Sequence, residues 1–185
     1  LHDPEQAVRF AGAISLSSLG DPACVPILVE ALRSSDRNVV EPACNALAVA
    51  CWNGMDCSSA ISRLLELIGG PGEVGEMKEV SPRHFVAPPV ALKWIAMHPL
   101  ADIAEDESVI EPICDAINSE LPSEKNASYG VNALTQLGAR GIRNERALKL
   151  LMERVETGKG IVYEPLALGI FPEQEAFDFL LAKLK

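Results

Sequence analysis

The segment VRFAGAISLSSLGDPACVPILVEAL, Val8 to Leu32, reads as a helix, a tight turn and a second helix. Its first half sets Val8, Arg9, Ala11, Ala13, Leu16 and Leu19 along one stretch. Gly20-Asp21-Pro22 interrupts it, and Val25, Leu28, Val29 and Leu32 follow. Apolar residues spaced by three and four form one face of an amphipathic helix. Glycine supplies the left-handed residue that closes a helix. Asp-Pro opens the next one, the carboxylate capping free N–H groups and the proline sitting where no donor is needed.

The stripe of the second half returns four times: Ile61, Leu64, Leu65, Ile68; Ile110, Ile113, Cys114, Ile117; Leu148, Leu151, Met152, Val155; and Phe177, Leu180, Leu181, Leu184. The first helix also recurs, Val39 following Val8 and Leu47 following Leu16 by 31 residues. Asp106 to Ile117 parallels Asp21 to Leu32 at an offset of 85, and Leu134, Leu137 and Gly138 repeat Leu16, Leu19 and Gly20 at an offset of 118. A recurring helical pair that cannot bury its own stripe implies a stacked array with a continuous core. The expected fold is therefore all-α, an α-α superhelix of about five helical hairpins over 3–33, 36–68, 85–120, 124–156 and 161–185. In each pair we write the first helix as A and the second as B. Pro99 is expected to interrupt the third A helix after His98. Residues 69–83 are expected to form an irregular loop, because Gly69-Gly70-Pro71-Gly72 cannot continue a helix.

Val8-Arg9, Ala11, Ala13, Leu16, Leu19-Gly20-Asp21, then Val25-Pro26, Leu28 and Glu30-Ala31-Leu32 resemble the HEAT-like repeat of the phycobiliprotein-lyase type. The resemblance implies a right-handed solenoid serving mostly as a scaffold, with Arg9 and Asp21 in structural roles between neighbouring turns. The second repeat departs from it, having Val40 in place of the arginine.

Charge and composition narrow the function. The net charge of −10 divides into −4 over 1–68, −7 over 69–120 and +1 over 121–185. An acidic chain lacks the lysine and arginine surface that neutralises phosphates, so nucleic acid is disfavoured as a partner. No apolar run reaches the ~18 residues of a membrane span, so no membrane partner is expected. Five cysteines, odd in number and without a CxxC pair, point to core packing in a reducing cytoplasm.

The residues offer no reaction chemistry. Gly69 to Gly75 has no Gly-Lys-Ser/Thr ending and no preceding strand, so it is not a phosphate loop. His2, His84 and His98 have no second ligand at metal spacing and no following glutamate. No metal, cofactor or catalytic residue is expected. The leading reading is a non-enzymatic protein-interaction scaffold. Its concave face, lined by the B helices, would present Glu30, Glu66, Glu111 and Asp115 to a protein partner with a basic patch. Two further patches are candidates. Arg83, His84, Phe85 and Trp94 join polar and aromatic groups beside the irregular loop. Arg140 and Arg143 lie at the turn into the fourth B helix, with Arg146 and Lys149 beyond. The alternatives are a phycobilin-lyase-like chromophore-handling protein and, further off, a HEAT-like enzyme that binds DNA lesions. The sequence leaves the oligomeric state open.

Overall fold

The computed structural model describes residues 5–70, 78–81, 84–86, 91–119, 124–158 and 163–184. Among the described residues ten α-helices run in order: α1 (Gln6–Leu19), α2 (Cys24–Ala31), α3 (Arg37–Trp52), α4 (Ile61–Ile68), α5 (Leu92–Ile103), α6 (Ile110–Asn118), α7 (Glu124–Ala139), α8 (Glu145–Glu156), α9 (Tyr163–Leu168) and α10 (Gln174–Lys183). The odd-numbered helices are the A helices and the even-numbered ones the B helices. Between α4 and α5 the backbone forms two short antiparallel strands, β1 (Lys78–Ser81) and β2 (His84–Val86). Lys78 faces Val86 and Glu79 faces Phe85, before the register shifts ahead of Ser81. The expected loop at 69–83 is thus corrected at β1, while 71–77 and 82–83 lie outside the described residues.

One turn chemistry recurs along the chain. α1, α3 and α7 are each followed by a glycine in the left-handed region: Gly20, Gly54 and Gly141 at φ 76°, 80° and 83°. Beyond each glycine an amide reaches back to the helix, Asp21 to the Leu16 carbonyl, Met55 to Ala50 and Ile142 to Leu137. This is the glycine-closed helix end that satisfies otherwise orphaned carbonyls. Gly138, expected in that role, stays inside α7, and Gly141 takes it instead. The turn preceding α2, α4, α6 and α8 carries a short polar side chain that accepts a backbone N–H: Asp21 from Ala23, Asp56 from Ser58, Asp106 from Ser108 and Asn144 from Ala147, at 2.8–3.0 Å.

The B-helix stripes supply the core. Leu28, Leu64, Ile113 and Leu151 are fully buried. The A helices contribute smaller groups, with Ala43, Ala46 and Ala50 on α3, Ala96 and Ala101 on α5, and Ala133 on α7. Gly130 lets α7 close in. A Cβ there would sit 2.5 Å from Cγ1 of Ile117.

Three expectations about faces and breaks are corrected. On α1 the buried side is Ala13 and Ser17, flanked by Phe10, Ile14 and Leu16, whereas Val8 and Leu19 are exposed because only α2 and α3 cover this helix. The last stripe is likewise open, with Phe177, Leu181 and Leu184 exposed and Ala176 buried in their place. Pro99 does not end α5. The helix continues to Ile103, with Pro99 buried in its interior. A proline removes one hydrogen bond and crowds the preceding turn, and packing of α5 against α3, α4 and α7 holds the helix together across it.

Candidate binding surface

The two rows of helices stack differently. α1, α3, α5, α7 and α9 pack directly one on the next. The B row meets thinly from α4 through α6 and α8 to α10, and α2 barely touches α4. Small residues allow close axes and large ones hold them apart. The A helices thus form the more extensively packed row, and the groove described next lies on them, whereas the sequence expectation placed the partner face on the B helices.

Two joined cavities open along the A row. One of about 390 Å³ lies between α1 and α3, against Ile14, Ser17, Pro42 and Val49. The other, about 320 Å³, spans α3, α5 and α7, against Ile95, His98, Tyr129, Asn132 and Gln136. Glu41 and Asn45 of α3 line both, which makes them one groove. Its polar groups come from helical spacing: Asn38, Glu41 and Asn45 on α3, and Tyr129, Asn132 and Gln136 on α7 recur at three and four residues. Glu41 is held by Arg37 at 3.0 Å. Gln136 donates to Asp102 of α5, whose second carboxylate oxygen is sealed from solvent without a partner. The His98 ring stands edge-on to Trp52, with centroids 5.7 Å apart. Asn45, Tyr129 and Asn132 make no hydrogen bond with any described residue, so their donors and acceptors are open to a ligand.

The acidic residues singled out in the sequence lie on the B row, and each is drawn toward an arginine. Glu30 is 3.7 Å from Arg9, and Glu66 is 2.6 Å from Arg63. Glu111 and Asp115 both bind Arg146, reaching from α6 to α8. Those two carboxylates hold the Arg146 guanidinium above its usual range. Paired exposed charges of this kind add little to stability.

Of the other two patches, the described members are engaged within the fold, and the side chains of Arg83, His84 and Phe85 lie outside what the structure describes. Trp94 is 1% exposed, its ring covered by the Lys93 ammonium at 4.9 Å, so it belongs to the core and not to a partner contact. Arg83 lies outside the described residues, and His84 and Phe85 form part of the β2 backbone. Arg140 donates to the Ala101 carbonyl at 2.5 Å, and Arg143 to the carbonyls of Gly138 and Ile170. Both guanidiniums therefore cap helix ends across neighbouring repeats. Asn53 does the same between α3 and α1, donating to the Ser17 carbonyl at 2.8 Å. Sequence reasoning missed the groove residues Glu41, Asn45, Tyr129, Asn132 and Gln136. Their three-and-four spacing was available, but nothing marked that side of the helices as the grooved one.

The cysteines are free. Cys24, Cys44, Cys57 and Cys114 are buried and Cys51 is half-buried. Burial pushes the thiols of Cys44 and Cys114 up to about 12 and that of Cys57 to about 11, which keeps them protonated and unreactive. No cluster of three His, Cys, Asp or Glu side chains among the described residues could hold a metal.

The family model for HEAT repeats matches residues 1–74. This stretch of the chain is similar to HEAT repeats. No curated protein matches it. The match covers α1 to α4, the two hairpins whose glycine and aspartate turns are most regular. The helices beyond α4 continue the same two-row stacking through α10. Among the described residues no helix is long and apolar enough to cross a membrane.

Proposed function

We propose that this chain is a non-enzymatic scaffold that holds a segment of a partner protein along the groove of α1, α3, α5 and α7. HEAT repeats are commonly protein-interaction scaffolds. The observation that carries the reading is the groove, an apolar floor bordered by the unpaired Asn45, Tyr129 and Asn132. Such side chains can donate and accept, and meeting them stabilises a polar peptide backbone that would otherwise lose its water. The partner carries a basic patch, because the net charge of −10 attracts cations over long range even where local acids are paired. The B-row acids Glu30, Glu66, Glu111 and Asp115 serve that steering, and the groove supplies the contact. Free, buried thiols support a reducing, cytoplasmic setting.

The test compares quantitative capture by three forms of the chain. The double variant Asn45→Arg with Asn132→Arg blocks the groove. The double variant Glu66→Lys with Asp115→Lys alters only the B row. A partner lost with the first and kept with the second, at a slower association rate, fits the proposal. A partner kept by the groove-blocked form and lost with the B-row form would place binding on the B helices.

A further inference from the structure

Eight large apolar side chains stand exposed among the described residues, and seven lie on α1, α9 and α10, toward either end of the stack. The eighth is Trp52, 65% exposed although α1 and α5 pack on either side of its helix. A single apolar residue on a surface needs no explanation by itself, but the setting of this one is particular. Trp52 ends α3 where that helix meets α5. The Cys51 thiol beside it donates to the Asp102 carbonyl at 3.3 Å, and the His98 ring stands edge-on to the indole. His98 also lines the groove, so Trp52 stands at the groove's mouth. The two segments that meet here carry no lysine or arginine from Leu47 to Ala60 or from Leu100 to Val109, and they carry Asp56, Asp102, Glu105, Asp106 and Glu107. Asp56 and the three acids after α5 are exposed. Asp102 accepts from Gln136 through one oxygen, and its other oxygen has no partner. Arg140 reaches this end from α7 and is held on the Ala101 carbonyl.

We propose that Trp52 is the cation-binding end of the groove, its indole face taking an arginine side chain of the partner segment. With that segment lying in the groove, on which this site depends, the partner's basic patch falls where α3 and α5 end. The face of an aromatic ring is its electron-rich side, and tryptophan holds cations best. The carboxylates of the two adjoining segments favour the same charge and repel an acid. A purely apolar side chain would cover the indole but leave those carboxylates without a counter-charge. A guanidinium meets both needs. It is planar and weakly hydrated, it stacks on a ring, and it keeps N–H donors at its edge for carboxylates. Tryptophan and arginine are also among the residues on which binding energy concentrates.

The test titrates the whole chain, labelled with an NMR-active nitrogen isotope, with three soluble peptides of glycine, serine and asparagine that differ only in a central Arg, Glu or Leu. NMR reads the Trp52 indole N–H, assigned by its loss in Trp52→Phe, and the side-chain amides of Asn45 and Asn132 in the groove. The arginine peptide should shift the indole and both amides together, at lower concentration than the other two peptides. Trp52→Leu keeps an apolar surface and removes the ring face. It should weaken binding of the arginine peptide about two- to fivefold, the range of an exposed cation–π contact, and leave the leucine peptide unchanged. Amides that shift with the arginine peptide while the Trp52 signal stays still overturn the cation site and leave the groove standing. A Trp52 signal that answers best to the glutamate or leucine peptide overturns the cation site too. An indole shifted by the arginine peptide without any shift of the amides supports the cation site and removes the groove. No shift at either place overturns both. If Trp52→Leu does not fold, the three peptides on the parent chain still decide.

Discussion

Arg154 of α8 and Glu164 of α9 are both sealed from solvent and joined at 2.8 Å between Nε and Oε1. Removing one partner of a buried pair strands the other without water. Glu164→Ala should therefore destabilise the chain by about 3–5 kcal/mol, read from urea unfolding, and replacing both residues with apolar ones should cost far less. Leu28, Leu64 and Leu151, equivalent in the stripe and all fully buried, should each lose about 2–5 kcal/mol on truncation to Ala, varying with how far the site collapses. At the surface, the Ser58 and Ser108 side chains, and then their N–H groups, hydrogen-bond to Asp56 and Asp106, which holds both carboxyls below their usual range. A carboxyl with a depressed folded pKa stabilises the fold above its unfolded pKa. That contribution should be lost as pH falls through the folded value. Melting temperatures measured down through the acid range should show a drop that is smaller in the Asp56→Asn, Asp106→Asn variant, whose caps do not titrate. Single residues were legible in sequence where their role was local, as with Asp21 and Gly20. They were not where the role depended on a distant neighbour. Arg140 and Arg143 read as a cationic patch, yet they meet carbonyls 39 and 27 residues away, and Trp94, beside Leu92, Ile95 and Ala96, read equally as core or as partner contact.

Among the elements, α7 depends most on a missing side chain. Gly130→Ala would push a Cβ to 2.5 Å and 2.8 Å from the Ile117 side chain, and Ile117 is itself buried. Overpacking of this kind should cost about 1–3 kcal/mol despite alanine's better helix propensity. Gly141→Ala meets open space but must hold φ at +83°, so it should cost about 1–2 kcal/mol through backbone strain alone. The two variants separate packing from conformation when their unfolding free energies are compared. Helix starts and the B stripes of the middle repeats were readable because capping and periodicity are local signals. Three features were not. The helix through Pro99 survives on contacts from α3, α4 and α7. The β1–β2 pairing involves a segment rich in glycine and proline. The buried side of α1 depends on which helices flank it, and a single stripe does not encode that.

At the scale of the whole molecule, two unequal rows set the function. Periodicity reports which side of a helix is apolar and is silent on which row of a stack is crowded. The solenoid was therefore legible in the repeats, whereas the groove along the A row, bordered by polar residues of α3, α5 and α7, was not. The B-row acids, neutralised by Arg9, Arg63 and Arg146, should influence the rate of encounter more than the lifetime of a complex. Added salt should then slow association while dissociation changes little. The central claim, that a partner lies along the A-helix groove, is tested most directly by amide hydrogen exchange of the chain with and without its captured partner. The account predicts slowed exchange in α3, α5 and α7 around Asn45, His98 and Asn132, with α4, α6 and α8 unchanged. Protection confined to the B row around Glu66, Glu111 and Asp115, with the groove exchanging as in the free chain, would contradict it.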